Sequence, residues 1–360
     1  MLRIRLEPRG ERSLLWTVAS PVVAIALTVI AAGAIFALLG RAPGEALYTF
    51  LIAPLVSDNG PPELLVKAAP LVLIGVGLSL GFRAGVWNIG AEGQYILGAI
   101  CGAGLGLAYP ETPALVLYPA MMLLGVLGGA ALGAIPALLR TRFNASEILT
   151  SLMLTYVMQL LLIYLVTGPW RDPEGYGFPQ TAMFSPDATA PILFEGTRVH
   201  LGALTALAVA LAGWLLLGRS VYGFQLRVLG QAPRAARFAG FSENRLVWLS
   251  MLLSGGLAGL AGLFEVSGPI GQLMPSISPG YGFTAIIVAY LGRLHPLGVV
   301  VAGLTLALSY LGGEAAQIEL KLPSAVTGIF QGVLLFFLLG CDLLILYRIR
   351  LTRPRVLGAA

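Results

Sequence analysis

Long uncharged apolar runs alternate with short polar connections along nearly the whole chain. After Arg3, Arg5, Arg9 and Arg12, an uncharged run extends from Ser13 to Gly40. Apolar stretches follow at about 68–82, 95–109, 114–139, 148–167, 201–217, 246–267, 283–292, 297–312 and 325–347. A helix crosses ~30 Å of hydrocarbon with ~20 apolar residues, so the pattern predicts ten membrane segments. The first run is too long for the ~7–15 residue core of a signal peptide and reads as an uncleaved span. The 283–292 stretch is too short to cross alone; with the Gly/Pro-rich residues before it, it predicts a broken or re-entrant helix. The expected fold class is an all-α polytopic membrane protein of about ten transmembrane helices, with one or two broken or short membrane segments and both termini cytoplasmic. A cytoplasmic N-terminal segment (1–13) and a cytoplasmic C-terminal tail (348–360) would flank one transmembrane domain (14–347). That domain carries an external loop at 168–200 and a cytoplasmic loop at 218–245.

Composition sharpens this picture. Of 360 residues, 57% are hydrophobic and only 11% charged, where soluble domains carry about 25% charged residues. This excludes a water-soluble enzyme, a disordered chain and a disulfide scaffold. The net charge of +5 is an arginine excess, with Lys67 and Lys321 the only lysines. With the N-terminus inside, 17 basic residues fall in cytoplasmic segments and 5 in external ones, which obeys the positive-inside rule and needs no nucleic acid. Cys101 and Cys341 both lie inside apolar runs, and His200 and His295 are the only histidines, which leaves no basis for a metal centre. The five prolines and several aromatics of 168–200 suggest an ordered lid or docking surface.

Chemistry concentrates in two places. Neither lysine follows a glycine, so the chain has no phosphate-binding P-loop. The segment from Gly81 to Gln94 breaks the apolar pattern with Arg83, Trp87, Asn88, Glu92 and Gln94. Polar groups at membrane depth point to a translocation path. The alternative is an interfacial loop in which Trp87 anchors at the headgroups and Glu92 pairs with Arg83. The second place is the cytoplasmic loop. Pro233 suits a first helical turn and Gly240 a C-terminal cap, so residues 233–240 predict a short helix carrying Arg234, Arg237 and Phe238. Such a helix is a docking element, unless its arginines serve only to set topology. Glu147 suits a helix N-terminus, Glu265 faces either the path or the interface, and Ser254–Gly262 reads as a close helix-packing stripe.

Four motifs together resemble a known family. They are WNIGAEGQ (87–94), NASEILTSLMLTY (144–156), GRSxxGxQLRVLGQxPxAARFAGF (218–241) and GYGFTAIIVAYLGRxxPLG (280–298). In this order, across roughly 70–345, they are similar to permease subunits of bacterial ABC importers. The nearest group is the ribose/galactoside/nucleoside permeases, in particular the nucleoside type. The 229–231 stretch departs from the usual pattern without touching the rest. The resemblance implies half of a translocation path for nucleosides or simple sugars in the plasma (inner) membrane, with Trp87, Asn88, Glu92 and Gln94 along it. It also implies a coupling helix bearing Pro233, Arg234, Arg237, Phe238 and Gly240, with Arg227 in the same loop. The implied partners are a cytoplasmic ATPase that holds ATP and magnesium, a second homologous permease and an extracytoplasmic solute-binding lipoprotein; this chain itself would hold no cofactor. The competing reading is an ion-coupled secondary transporter, for which Glu92 is the one good relay candidate. An intramembrane enzyme lacks any nucleophile–base constellation.

Overall fold

The computed structural model describes the backbone of residues 3–8 and 14–352 and the side chains of 19–341; side chains of the two terminal segments, 1–13 and 348–360, lie outside the described residues. Every expected apolar run coincides with a helix. The helices are α1 (Leu14–Leu38), α2 (Pro43–Leu51), α3 (Ala53–Val56), α4 (Gly60–Arg83), α5 (Ala91–Ala108), α6 (Ala114–Phe143) and α7 (Glu147–Thr167). They continue as α8 (Leu201–Arg219), α9 (Val221–Gln231), α10 (Pro233–Phe238), α11 (Glu243–Glu265), α12 (Tyr281–Leu291), α13 (Pro296–Glu319) and α14 (Ala325–Leu346). Among the described residues, seven helices are long and apolar enough to cross a bilayer, which makes this a multi-pass membrane protein. The short helices α2 and α3 were not anticipated.

The all-α expectation needs one correction. Strands β1 (Arg3–Pro8) and β2 (Tyr347–Thr352) pair antiparallel, Arg3 opposite Thr352 and Pro8 opposite Tyr347. Both segments alternate apolar and polar residues with a period of two, the strand pattern, which their arginines masked when they were read as topogenic tails.

The chain divides into two compact units, residues 1–54 with 312–360 and residues 55–311. In the first, β1 and β2 join the two ends of the chain. Its core is Ala32, Phe36, Ala46 and Phe50 against Ala316, Leu322, Val326 and Phe330. Phe50 stacks obliquely on Phe330 with ring centres 4.9 Å apart.

The second unit is built around α11, which packs against α4, α5 and α6. Glycine makes that approach possible: a Cβ on Gly98 of α5 would overlap the Gly259 backbone of α11, and one on Gly255 would lie 2.5 Å from the Gly129 carbonyl of α6. Backbones in hydrocarbon gain little from burying apolar surface against one another, so small residues and close van der Waals contact hold such helices together. The Ser254–Gly262 stripe thus packs as its composition indicates.

The 168–200 loop is ordered by backbone pairing with the segment after α11. Thr181 N–H donates to the Leu273 carbonyl at 3.0 Å, Phe184 N–H to Gly271 at 2.9 Å and Ala190 N–H to Ser267 at 2.8 Å. Arg198 grips Glu63 of α4 through two bonds of 2.7 and 2.5 Å. At the loop's end, buried His200 caps α8, its Nδ1 accepting from Gly202 N–H at 3.1 Å. Burial lowers the His200 pKa from 6.5 to about 4. The unfolded chain therefore takes up a proton here that the folded protein refuses, and this site's contribution to stability is full above pH 6.5 and is lost as pH falls towards 4. Thermal unfolding measured from pH 7 to pH 4 is expected to show a smaller acid loss in His200→Asn, which keeps a capping acceptor without the titration. An unchanged acid slope would remove His200 from the pH response.

Candidate functional site

Two helices of the second unit begin inside the bundle instead of at its surface. After α4, Gly85 adopts φ +72°, residues 86–90 run non-helical, and α5 starts at Ala91. After α11, a π-helical turn over Val266–Ile270 and left-handed glycines at Gly271 (φ +77°) and Gly280 (φ +94°) lead into α12. With 11 residues, α12 is only about 16 Å long, half a membrane crossing. The approach to α5 is fixed by Ser254, midway along α11.

Each break is satisfied by buried polar side chains. Asn88 Nδ2 donates to Gln94 Oε1 at 2.7 Å and to Ser254 Oγ at 2.8 Å. Asn88 Oδ1 accepts from Gln94 Nε2 at 3.1 Å and from Gly90 N–H at 3.2 Å. Glu92 sits in the first turn of α5, and its Oε2 accepts the Gly282 N–H of the first turn of α12 at 2.6 Å. The Ser278 hydroxyl also donates to this carboxylate, while its oxygen accepts from Gly280 and Tyr281 N–H, each at 3.1 Å. One buried carboxyl group thus lies at the positive ends of two helix dipoles. A Cβ on Gly282 would collide with the Glu92 backbone, so only glycine allows this approach.

An aromatic layer surrounds the carboxylate. The Tyr95 hydroxyl donates to the Ile277 carbonyl at 3.1 Å, and Tyr281 stands edge-on to Tyr95 and Tyr310 at 6.2 and 5.2 Å. Glu265, buried at the end of α11, lies near the Tyr95 phenol. Trp87 is half-buried and stacks with Tyr290 at 6.1 Å, beside Phe82.

The C-terminal end of α4, where the break begins, also meets the loop helices. Ala236 of α10 is buried with Leu229, Leu246 and Val86, which turns Phe238 outward at 94% exposure. Pro233 begins α10 and Gly240 follows it at φ +77°. Ala232, Pro233, Arg234 and Arg237 line a surface recess, and Arg227 lies on the exposed face of α9 close to Arg83. A row of charges runs inward from here. Arg237 pairs with Glu243 at 2.9 Å, Glu243 lies 3.9 Å from Arg140, Arg140 is bonded to Glu147, and Glu147 accepts the Trp87 N–H at 3.4 Å.

The four residues expected along the path therefore gather at one break. Asn88, Glu92 and Gln94 are each at most 2% exposed and bond within the protein, while Trp87 alone keeps partial access. Arg83 donates to the Leu294 carbonyl at 2.8 Å, not to Glu92. Sequence reasoning missed Ser254, Ser278, Tyr95, Tyr281 and Arg140. Ser254 is the one polar residue of its glycine stripe, a signal that was available.

Irregular backbone at membrane depth survives only where protein or a cavity satisfies it, and helices broken in this way build the binding sites of membrane transporters. These features define a helical transport protein. The chain belongs to the family described as "Branched-chain amino acid transport system / permease component", whose pattern matches residues 61–339. It is a permease subunit of the ABC type and not an enzyme, and the ion-coupled reading gains no support. It is 35% identical to the glucose ABC transporter permease protein TsgB13 of Haloferax volcanii, over 98% of this chain and 95% of that one. It is 31% identical to the guanosine ABC transporter permease protein NupP of Bacillus subtilis, over 76% and 79%. To the nucleoside ABC transporter permease protein NupB of Lactococcus lactis it is 26% identical, over 88% and 89%.

The Asn88 knot makes a graded expectation. Ser254→Ala leaves Asn88 bonded to Gln94 and is expected to cost under about 1 kcal/mol. Asn88→Leu strands both ends of the Gln94 amide in a buried site and is expected to cost about 2–3 kcal/mol. Unfolding of the two purified variants compares them directly; equal losses would show that the knot does not act as a unit.

Proposed function

We propose that this chain is the membrane-spanning half of an ATP-driven importer for nucleosides or related simple sugars. The observation that carries the substrate class is its similarity, over three quarters or more of its length, to permeases named for glucose, guanosine and nucleosides. In this reading the protein lies in the plasma (inner) membrane with ten spans, and the paired termini face the cytoplasm, as the arginine distribution favours. Its partners are a cytoplasmic ATPase carrying ATP and magnesium, a second homologous permease and an extracytoplasmic solute-binding lipoprotein.

Within this scheme Trp87 borders the path, and Asn88, Glu92 and Gln94 hold the broken segment that shapes it. Helix α10 is the element seated on the ATPase. Its exposed Phe238 suits an apolar pocket and Arg234 an acidic rim, the contact types that dominate interface energetics. Closure of the ATPase would then reach the break through the charge row from Arg237 to Trp87, because each member sits at the end of a rigid helix or in the break itself.

The test is uptake of labelled guanosine and glucose into proteoliposomes holding the whole complex. Transport of at least one is expected to require ATP and to ignore an imposed pH gradient. Phe238→Ala is expected to reduce ATPase retention at least tenfold, as loss of a ~2 kcal/mol hot spot would. Arg140→Gln is expected to lower the solute moved per ATP while Arg140→Lys restores part of it. Gradient-driven uptake without ATP would overturn the importer reading, and wild-type behaviour of all three variants would overturn the coupling route.

A further inference from the structure

A crevice of about 830 Å³ opens on the flank of the second unit, where α8 ends, α9 begins and α11 begins. It is distinct from the buried break; Gly240, at the end of α10, forms part of its rim, while Arg234, Arg237 and Phe238 lie outside it. Two arginines stand at its mouth, Arg219 as the last residue of α8 and Arg245 in the first turn of α11. Both are exposed, and neither guanidinium has a hydrogen-bond or ion-pair partner among the described residues. The nearby arginines Arg140 and Arg237, by contrast, are both paired with glutamates.

The walls above the arginines are apolar in a regular way. Leu215 lies one turn from Arg219 along α8, and Leu249 and Leu253 lie one and two turns from Arg245 along α11. Residues four apart share a helix face, so each helix presents an arginine head and a leucine stripe to the same crevice. Leu215 is 47% and Leu253 39% exposed, so the stripe faces outward and not into the bundle. Both helices are membrane spans, which puts their charged ends at the lipid headgroup level and their leucines at the acyl level.

We propose that this crevice binds an anionic phospholipid, its phosphate held between Arg219 and Arg245 and an acyl chain laid along Leu215, Leu249 and Leu253. Guanidinium groups from two helices lining one crevice recognise phosphate oxygens with directed hydrogen bonds as well as charge. The aligned leucines distinguish a lipid from a free phosphate, which has no use for them. A soluble protein partner would leave that stripe in hydrocarbon.

The proposal is tested on the purified complex in mild detergent, by native mass spectrometry with added phosphatidylglycerol, phosphatidylcholine or inorganic phosphate. Phosphatidylglycerol is expected to be retained in preference to phosphatidylcholine. Each of Arg219→Gln and Arg245→Gln is expected to weaken that retention about fivefold, and the double variant more than either. Arg142→Gln removes an exposed arginine outside the crevice and is expected to change nothing. Four results would overturn the site. They are equal retention of the two lipids, an equal loss in Arg142→Gln, displacement of the lipid by inorganic phosphate, and loss of the ATPase in the double variant with lipid retention unchanged.

Discussion

A carboxylate buried between apolar helices must be satisfied by the protein itself, and the second unit is arranged around that requirement at Glu92. Desolvating such a charge is expensive unless donors surround it. Here they come from two directions, the start of α12 through Gly282 and the connecting segment through Ser278. Both require α12 to begin beside α5, in the interior. The glycines at 271 and 280 allow the chain to turn there, and Gly282 allows the backbones to touch. The half-length α12 and the folded-in connection before it follow from placing one carboxyl group at that depth.

The same logic separates what is rigid from what is positioned to move. Around α11, glycine-to-backbone contacts leave no slack, and the Asn88–Gln94–Ser254 knot pins the α4–α5 break to the middle of that helix. The charge row from Arg237 to Glu147 is different in kind. Its members are partly exposed, and its longest link, from Glu243 to Arg140, measures 3.9 Å. Exposed pairs are individually weak and easily re-formed. That makes the row a place where helix ends can shift against one another without unpacking the apolar core.

Much of this was legible in the sequence, for identifiable reasons. Apolar run length marked each membrane helix, and Pro233 with Gly240 marked α10, because both signals are local. The polar cluster at 87–94 marked the break for the same reason. What escaped was non-local. The partner of Glu92 is a backbone N–H some 190 positions away, and no side-chain pattern announces a backbone donor. The obvious pairing with Arg83 fails because each group finds a distant backbone partner instead, Arg83 the Leu294 carbonyl and Glu92 the Gly282 N–H. The strand pairing of the chain ends was hidden for a third reason, since arginines that fit a topology rule also fit a two-residue alternation.

The central claim is that Glu92 joins the N-termini of α5 and α12. Hydrogen–deuterium exchange of the 280–284 backbone in the intact complex addresses it most directly. The Gly282 amide is expected to be protected in the wild type and to exchange markedly faster in Glu92→Ala, with Glu92→Gln, which keeps an acceptor oxygen, in between. Equal protection in all three would contradict the account, because the start of α12 would then be held by something other than this carboxylate.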